Sequence, residues 1–213
     1  TLPHAGQWDC VHLLAYEFFV GSERDRFCYF NVYKMPSAWR GSMTLCVCID
    51  PTKLGLPAGS PVYLDLQVSG MGWTSAVGIT QMAHRTMMQY VETPQPALGN
   101  SALLELSLVP VFILVLEVRK DRPFPLSGAD LDTAAWSIYI DNLTEDEIFA
   151  FEEFTKVFDR PSERMLAADE RYERWRSPSS EGKRVDRAVD RTVLGIRTHG
   201  ELGRRDTPTQ DIC

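Results

Sequence analysis

Residues 136–143 read WSIYIDNL, a short run of strand-forming residues that ends on an acid and an amide. Aromatic and β-branched residues such as Trp136 and Ile138 favour a strand. A strand that stops at Asp141 and Asn142, without glycine or proline, has two interpretations. Either the pair forms a polar hairpin turn, because Asp and Asn both tolerate left-handed backbone conformations, or Asp141 is a metal ligand. The rest of the chain decides between them.

The composition is that of a globular protein with an acidic balance. The chain has 213 residues, 44% of them apolar, and a net charge of −7. This length suits one domain or one and a half, and the apolar content is enough for a packed core, which excludes global disorder. The acidic balance argues mildly against broad nucleic-acid binding, which usually needs a basic surface.

The cysteines and the longest apolar run indicate the cellular environment. Five cysteines, an odd number without a Cys-x-x-Cys pair, and four histidines without paired spacing argue against a structural zinc site. We interpret the cysteines as small buried residues in a reducing compartment, and the protein as intracellular and not secreted. The run from Leu103 to Val118 is too short, and too interrupted by Pro110, to cross a bilayer, so we expect no membrane association.

The pattern of apolar residues predicts an α+β protein, because strands and helices follow each other without regular βαβ alternation. Strands are predicted over 11–21, 42–50, 62–68 and 136–140, with a late strand at 191–196. Helices are predicted over 74–90, from Thr144 to Phe158, and from Pro161 to Trp175. The first strand is expected to end at Gly21, and residues 51–61 to form a loop.

If Asp141 holds a metal, a second carboxylate must come from elsewhere in the chain. A divalent cation that handles phosphates usually takes one or two carboxylates together with substrate oxygens. The upstream candidates are Asp9, Glu17, Glu23, Asp25, Asp50 and Asp65.

Five segments carry further residue patterns in a fixed order. They are SERDRFCYF (22–30), GMGWTSAVGITQ (70–81), YIDN (139–142), RYERWRSPSSEGK (171–183) and VLGIRTHGELG (193–203). In that order and at those separations they resemble motifs A to E of the palm domain of reverse transcriptases, most closely those of retroelement polyproteins. The resemblance extends roughly from Leu2 to Gly203, and no single segment is specific without the others.

The resemblance implies a catalytic set. Asp25 matches the aspartate of motif A and Asp141 the first aspartate of motif C, so both would bind two Mg²⁺ ions, which Mn²⁺ could replace. Lys183 matches the motif D lysine that is proposed to protonate the leaving pyrophosphate. Asp65 also resembles a motif A aspartate, but it lies only seven residues before Gly72, too few for the intervening segments.

The resemblance also implies a binding set. Phe30 would lie under the incoming sugar and exclude a 2′-hydroxyl. The residues expected on the nucleotide and template side are Phe30, Met71, Gly72, Trp73, Gln81 and Asn142. The residues expected to grip the primer are Leu194 and Gly195. The partners would be an RNA or DNA template-primer and deoxynucleoside triphosphates.

The expected architecture is a polymerase palm: an antiparallel sheet backed by helices, with parts of the fingers and without thumb or RNase H regions. The domain would span 1–203, followed by a polar tail at 204–213, within a longer polyprotein. The expected function is RNA-directed DNA polymerisation by two-metal phosphoryl transfer.

Two alternatives stay open. One is a degenerate, catalytically inactive palm kept as a structural or binding module, an alternative raised by Asn142 standing where the family has a second acid. The other is an unrelated α+β enzyme. The palm interpretation requires Asp25 and Asp141 to converge, whereas a simple polar turn does not.

Overall fold

The chain forms two compact units. The computed structural model describes residues 7, 8, 11, 13–70, 73–89, 116–118, 134–180, 182–193, 196–200 and 204–206. The larger unit consists of residues 1–27 and 81–213, and the smaller one of residues 28–80.

Helices and strands occur in both units, so the expected α+β class is confirmed. The strands are β1 (Glu17–Asp25), β2 (Thr44–Ile49), β3 (Val62–Asp65), β4 (Leu116–Glu117), β5 (Ala134–Tyr139), β6 (Asn142–Ala150), β7 (Val185–Ala188), β8 (Asp190–Val193), β9 (Ile196–His199) and β10 (Arg204–Asp206). The helices are α1 (Tyr29–Val32), α2 (Ala76–Gln89), α3 (Phe151–Val157) and α4 (Glu163–Arg174).

A five-stranded sheet forms the centre of the larger unit, in the order β4-β5-β6-β1-β7. Strand β1 pairs antiparallel with β6 over nine residues, from Glu17 opposite Ala150 to Asp25 opposite Asn142. It also pairs antiparallel with β7, whereas β4 and β5 run parallel. The end of β1 therefore lies beside the start of β6, where the β5–β6 hairpin turns.

The core of the larger unit has two parts, one on each face of this sheet. Strand residues alternate between the two faces of the sheet. Trp136 and Ile138 therefore lie on one face, and Ala135 lies on the other. One cluster joins α2, α4, β5 and β6 through Met87, Met88, Trp136, Ile138, Leu143, Met165, Ala168 and Tyr172. The other consists of Trp8, Phe19, Val118 and Ala135. The α2 and α4 helices thus stabilise the sheet from the face on which Trp136 is fully buried.

Strand β1 does not end at Gly21, as the sequence predicted, but continues to Asp25. A Cβ at Gly21 would overlap the guanidinium of Arg191, so a larger residue here would require that side chain to move. The glycine is therefore a close-approach position inside a strand and not a strand end.

The helix predicted to begin at Thr144 is wrong in its first half, since residues 142–150 form β6 and only α3 is helical. The sequence TEDE has the threonine cap and the early acids of a helix start. Pairing with β5 on one side and β1 on the other overrides that local preference. The acids are buried in the strand because arginines contact them: Glu145 pairs with Arg164, and Glu147 with Arg187.

The predicted helices 74–90 and 161–175 and the predicted strands 42–50, 62–68 and 136–140 agree with the structure to within a few residues, whereas the late strand predicted over 191–196 is divided between β8 and β9. Strands β2 and β3 pair antiparallel in the smaller unit, which also holds 3₁₀ helices at Ser37–Met43 and Pro51–Leu54. In the larger unit α4 begins at the cap Ser162, whose hydroxyl accepts a hydrogen bond from the Met165 amide. No helix in the described ranges is long and apolar enough to span a membrane.

The C-terminal part of the described chain forms a second sheet, with strand order β10-β9-β8. Residues 204–206, expected to begin a polar tail, form β10 and pair with β9. The remaining tail residues, 207–213, lie outside the described residues.

Candidate functional site

Asp25 and Asp141 come together where β1 meets the β5–β6 hairpin. Asp25 is the last residue of β1 and lies opposite Asn142, the first residue of β6. The amide of Arg26 donates to the main-chain oxygen of Asp141 over 3.1 Å. Backbone hydrogen bonding therefore fixes the two aspartates next to each other, although they are far apart in the sequence.

The stretch around Asp141 is also a tight turn. Tyr139 pairs with Asn142, which leaves Ile140 and Asp141 as a two-residue loop. Ile140 has a φ of 59°, a conformation that hairpin turns demand at this position and that glycine usually provides. A β-branched residue is strained there by about 1–3 kcal/mol. The turn and the convergence of acids are both present, so the two interpretations of this stretch do not exclude each other.

The carboxylate of Asp25 has two side-chain partners from the segment after α4. The Ser180 hydroxyl donates to Oδ1 over 2.5 Å, and the ammonium of Lys183 lies 3.0 Å from Oδ2. Asp25 is largely buried, with a side-chain exposure of 15%, whereas that of Lys183 is 64%. The structure thus brings Asp25, Asp141 and Lys183 to one place.

Negative charge is concentrated at this place. Burial, followed by the charge of Asp25, raises the pKa of Asp141. Burial also raises the pKa of Glu23, which precedes Asp25 by two residues on the same face of β1. The hydrogen bond and charge of Asp25 raise the pKa of Lys183, with smaller contributions from Asp141 and Glu23. A cation at this position would relieve the excess negative charge.

Asn142 adds an oxygen to this group. Its Nδ2 donates to the Glu23 carboxylate, and its Oδ1 is buried without a hydrogen-bond partner. An unpaired amide oxygen beside two carboxylates is suited to a hard cation such as Mg²⁺, which prefers oxygen ligands. Within the described ranges no group of three or more His, Cys, Asp or Glu side chains is arranged as a metal site.

Two polar residues of α2 form hydrogen bonds with the backbone of the β5–β6 turn. Gln81 donates from Nε2 to the Ile138 carbonyl over 2.7 Å and accepts at Oε1 from the Ile140 amide over 2.6 Å. One helical turn later, Nδ1 of His84 lies 2.9 Å from the Ile140 carbonyl, and Nε2 lies 2.6 Å from the hydroxyl of Tyr172. These contacts stabilise the strained backbone that precedes Asp141.

Replacement of Gln81 by leucine is expected to destabilise the protein by about 2 kcal/mol. The change leaves the Ile138 carbonyl and the Ile140 amide without partners, and a buried unsatisfied group costs about 1–3 kcal/mol. Urea unfolding measures the loss. The matched control is Gln67→Leu, at an exposed side chain, which should change the free energy of unfolding by less than about 0.5 kcal/mol. Equal values for the two variants would contradict the role of Gln81.

His84 predicts a pH dependence of stability. Its ring is fully buried, and burial lowers its pKa to about 4, while the nearby Arg26 charge acts in the same direction. The unfolded chain, in which histidine titrates near about 6.5, therefore takes up the proton first as the pH falls.

The contribution of neutral His84 to stability is fully present above about pH 6.5 and is lost as the pH falls towards about 4. Between pH 6.5 and 5 the loss should be about 2 kcal/mol. Urea unfolding of the wild type and of His84→Gln over this pH range isolates the effect, because the other titrating groups are common to both. Parallel pH profiles for the two proteins would show that His84 carries no such effect.

Of the remaining residues expected to bind nucleotide, template or primer, two lie in the smaller unit and four lie outside the described residues. Phe30 lies in α1 and Trp73 just before α2, both in the smaller unit, where Trp73 packs edge-on against Trp39 at 5.8 Å between ring centroids. The residues that lie outside the described ranges are Met71, Gly72, Leu194 and Gly195.

Ser180 and His84 contribute to the site although the sequence did not single them out for it. Ser180 lies in the SPSS stretch, whose serines are typical of any exposed loop. His84 has no partner at a recognisable spacing, so only the fold reveals its contact with the turn.

The chain matches no protein-family model and none of the curated proteins.

Proposed function

We propose that this chain is a polymerase palm domain of the reverse-transcriptase type, which adds deoxynucleotides to a primer 3′ end on an RNA or DNA template. The observation that carries the proposal is the meeting of Asp25, Asp141 and Lys183. Lys183 and Asp25 are 158 positions apart in the sequence and lie 3.0 Å apart at their charged atoms.

The topology of the larger unit supports the proposal. A polymerase palm requires one acid at the end of a central strand and another at the turn of a neighbouring hairpin. Asp25 ends β1, and Asp141 lies in the turn of the β5–β6 hairpin beside it. Helices α2 and α4 pack on one face of this sheet and support the β5–β6 hairpin from that face.

In the proposed mechanism the carboxylates of Asp25 and Asp141 would hold Mg²⁺, and Oδ1 of Asn142 would be available as a neutral oxygen ligand. When bound, Mg²⁺ lowers the pKa of the primer hydroxyl and neutralises charge on the phosphate oxygens. Glu23 orients the Asn142 amide by accepting from its Nδ2. Gln81 and His84 keep the turn in place, so that the Asp141 carboxylate does not have to reorganise during the reaction.

Lys183 would act as a mobile ammonium donor. Its pKa is raised by Asp25, so Nζ stays protonated at neutral pH and can donate to a polyphosphate leaving group. Its exposure leaves it free to move from the Asp25 carboxylate to a phosphate oxygen. Gln81 is proposed to serve the nucleotide and template side indirectly, because it hydrogen-bonds to the backbone of the turn that carries Asp141.

Two observations favour a second candidate, an inactive palm kept as a structural or binding module. Lys183 neutralises Asp25 by direct contact, and Asn142 lacks the charge of a second acid. If the Lys183–Asp25 pair is permanent, it replaces the cation and no catalysis follows.

Primer extension decides between the two. The chain is incubated with Mg²⁺, a primer on a homopolymer RNA template and each deoxynucleoside triphosphate in turn. The polymerase proposal predicts incorporation of the complementary nucleotide, and little of the other three. Absence of templated incorporation, both in this chain and in a longer polypeptide that contains it, would favour the inactive module.

A further inference from the structure

Aromatic side chains form a cluster at the end of β1 that lies away from Asp25. We call this cluster the aromatic patch, and its residues are Tyr16, Phe18, Phe151, Phe154 and Phe158. The Phe18 ring centroid lies 5.4 Å from that of Phe151 and 5.3 Å from that of Phe154. Phe158 packs edge-on against Phe154 at 5.2 Å, and the Phe151 amide donates to the Tyr16 carbonyl over 3.0 Å. The start of β1 and helix α3 thus present one aromatic surface in the larger unit.

Much of the aromatic patch is open to solvent. Tyr16 is 61% exposed, Phe151 55% and Phe158 48%, whereas Phe154 is buried beneath them. Exposed apolar side chains that are scattered singly are ordinary, but a contiguous exposed group marks an interaction surface. Aromatic residues are also enriched in the buried centres of protein–protein interfaces. The aromatic patch is therefore suited to contact another protein surface.

The charges of α3 indicate which protein surface fits. The first turn of α3 carries Glu152 and Glu153, and its last turn carries Lys156. Asp159 and Arg160, which follow the helix, are opposite in sign and add no net charge. All five side chains are exposed. A strongly acidic or strongly basic partner would meet a like charge at one end of α3, which is unfavourable.

A second α3 that runs in the opposite direction matches this charge pattern. In a contact with two-fold symmetry, residue i of one copy meets residue j of the other, and j meets i. Glu152 and Lys156 lie on either side of Phe154 in the helix, at equal separation from it. With the two-fold axis close to Phe154, each Glu152 faces the Lys156 of the other copy. The exposed rings of the aromatic patch are then buried between these two ion pairs.

We propose that the aromatic patch is a self-association surface, through which two copies of this chain form a two-fold symmetric dimer. The contact is centred on α3 and has a Glu152–Lys156 pair at each end. Strand β1 has nine residues, so at about 3.3 Å per residue its two ends lie roughly 25 Å apart. Dimerisation at the Glu17 end therefore leaves the candidate site at Asp25 accessible in each copy. The dimer is independent of the proposed function and forms whether or not the chain polymerises.

Sedimentation velocity of the 213-residue chain over a roughly hundred-fold range of concentration tests the proposal. We expect a reversible shift from monomer to dimer as the concentration rises, because a small interface binds weakly. Phe151→Ser should weaken dimerisation at least about ten-fold, the effect of removing one central aromatic side chain from an interface. Tyr16→Ser should have a similar effect, and it guards against a folding defect because most of the Tyr16 side chain is exposed.

The matched control for these variants is Phe27→Ser. Phe27 is 57% exposed in the same unit, but it follows the other end of β1. The substitution removes the same side chain as Phe151→Ser and should change the dimer affinity less than about two-fold.

Charge reversal identifies the partner as a second copy of the chain. Glu152→Lys and Lys156→Glu should each weaken dimerisation, because each substitution brings like charges together at both ends of the contact. An equimolar mixture of these two variants should dimerise at least about ten-fold more tightly than either variant alone, since one copy then carries two bases and the other two acids. The proposal is overturned if the wild-type chain sediments as a monomer throughout, which would leave the aromatic patch to a different protein. It is also overturned if Phe151→Ser and Phe27→Ser have the same effect, or if the mixture dimerises no better than the single variants.

Discussion

Replacement of Asp141 by alanine is expected to lower the rate of templated nucleotide addition at least about a hundred-fold. The change removes the Asp141 carboxylate from the β5–β6 turn, where burial and the charge of the nearby Asp25 raise the Asp141 pKa. Loss of one preorganised electrostatic group at a reacting centre typically lowers the rate by about 10²–10³. Initial rates of primer extension at saturating substrate measure the effect.

The matched control for this prediction is Glu170→Ala. It removes a carboxylate from an exposed position on α4, and the rate should stay within about two-fold of the wild type. Urea unfolding checks that the Asp141→Ala chain remains folded, since the substituted side chain lies in a turn. If a folded Asp141→Ala chain polymerises as fast as Glu170→Ala, Asp141 is not a metal ligand in the reaction.

Replacement of Arg24 by alanine is expected to destabilise the protein by about 3–5 kcal/mol. Arg24 is 3% exposed and binds Asp169 of α4 at 2.8 Å and Asp186 of β7 at 2.6 Å. It also donates to the Val185 carbonyl at 2.9 Å. Removal of one partner from a buried ion pair leaves uncompensated charges, which is strongly destabilising. Chemical unfolding measures the loss.

Arg184 provides an internal control, because it pairs with the same two aspartates from an exposed position. Arg184→Ala should change the free energy of unfolding by no more than about 1 kcal/mol, the usual value for a surface ion pair. A similar loss in both variants would show that burial of Arg24 is not what makes this network stabilising.

Parts of the fold could be predicted from the sequence because they depend on local periodicity. Helix α2 and strand β5 have clear helical and strand patterns, and both lie within a few residues of the predicted ranges. Strand β6 could not be predicted in this way. Its TEDE segment has a helix-start pattern, and its acids are buried only because arginines from distant segments contact them. Pairing with a strand on each side outweighs the local preference of this segment for a helix.

The residues of the candidate site were likewise predictable only in part. The order of the motifs pointed to Asp25, Asp141 and Lys183, which the structure brings together. The amide of Asn142 contacts Glu23 across 119 positions of sequence, and His84 contacts the turn across 56. Such contacts depend on the register between β1 and β6 and on how α2 packs against β5. Neither can be deduced from spacing in a single sequence.

Mn²⁺ binding tests, without any catalytic step, the proposal that Asp25 and Asp141 form one cation-binding site. Titration of the chain with Mn²⁺, followed by the electron paramagnetic resonance of the free ion, should show saturable binding. Asp25→Asn and Asp141→Asn should each weaken it at least about ten-fold, and Lys183→Met should strengthen it, because the Lys183 ammonium competes for Asp25. The control Glu170→Gln should leave it unchanged. Equal Mn²⁺ affinities of the two aspartate variants and this control would show that Asp25 and Asp141 do not form such a site.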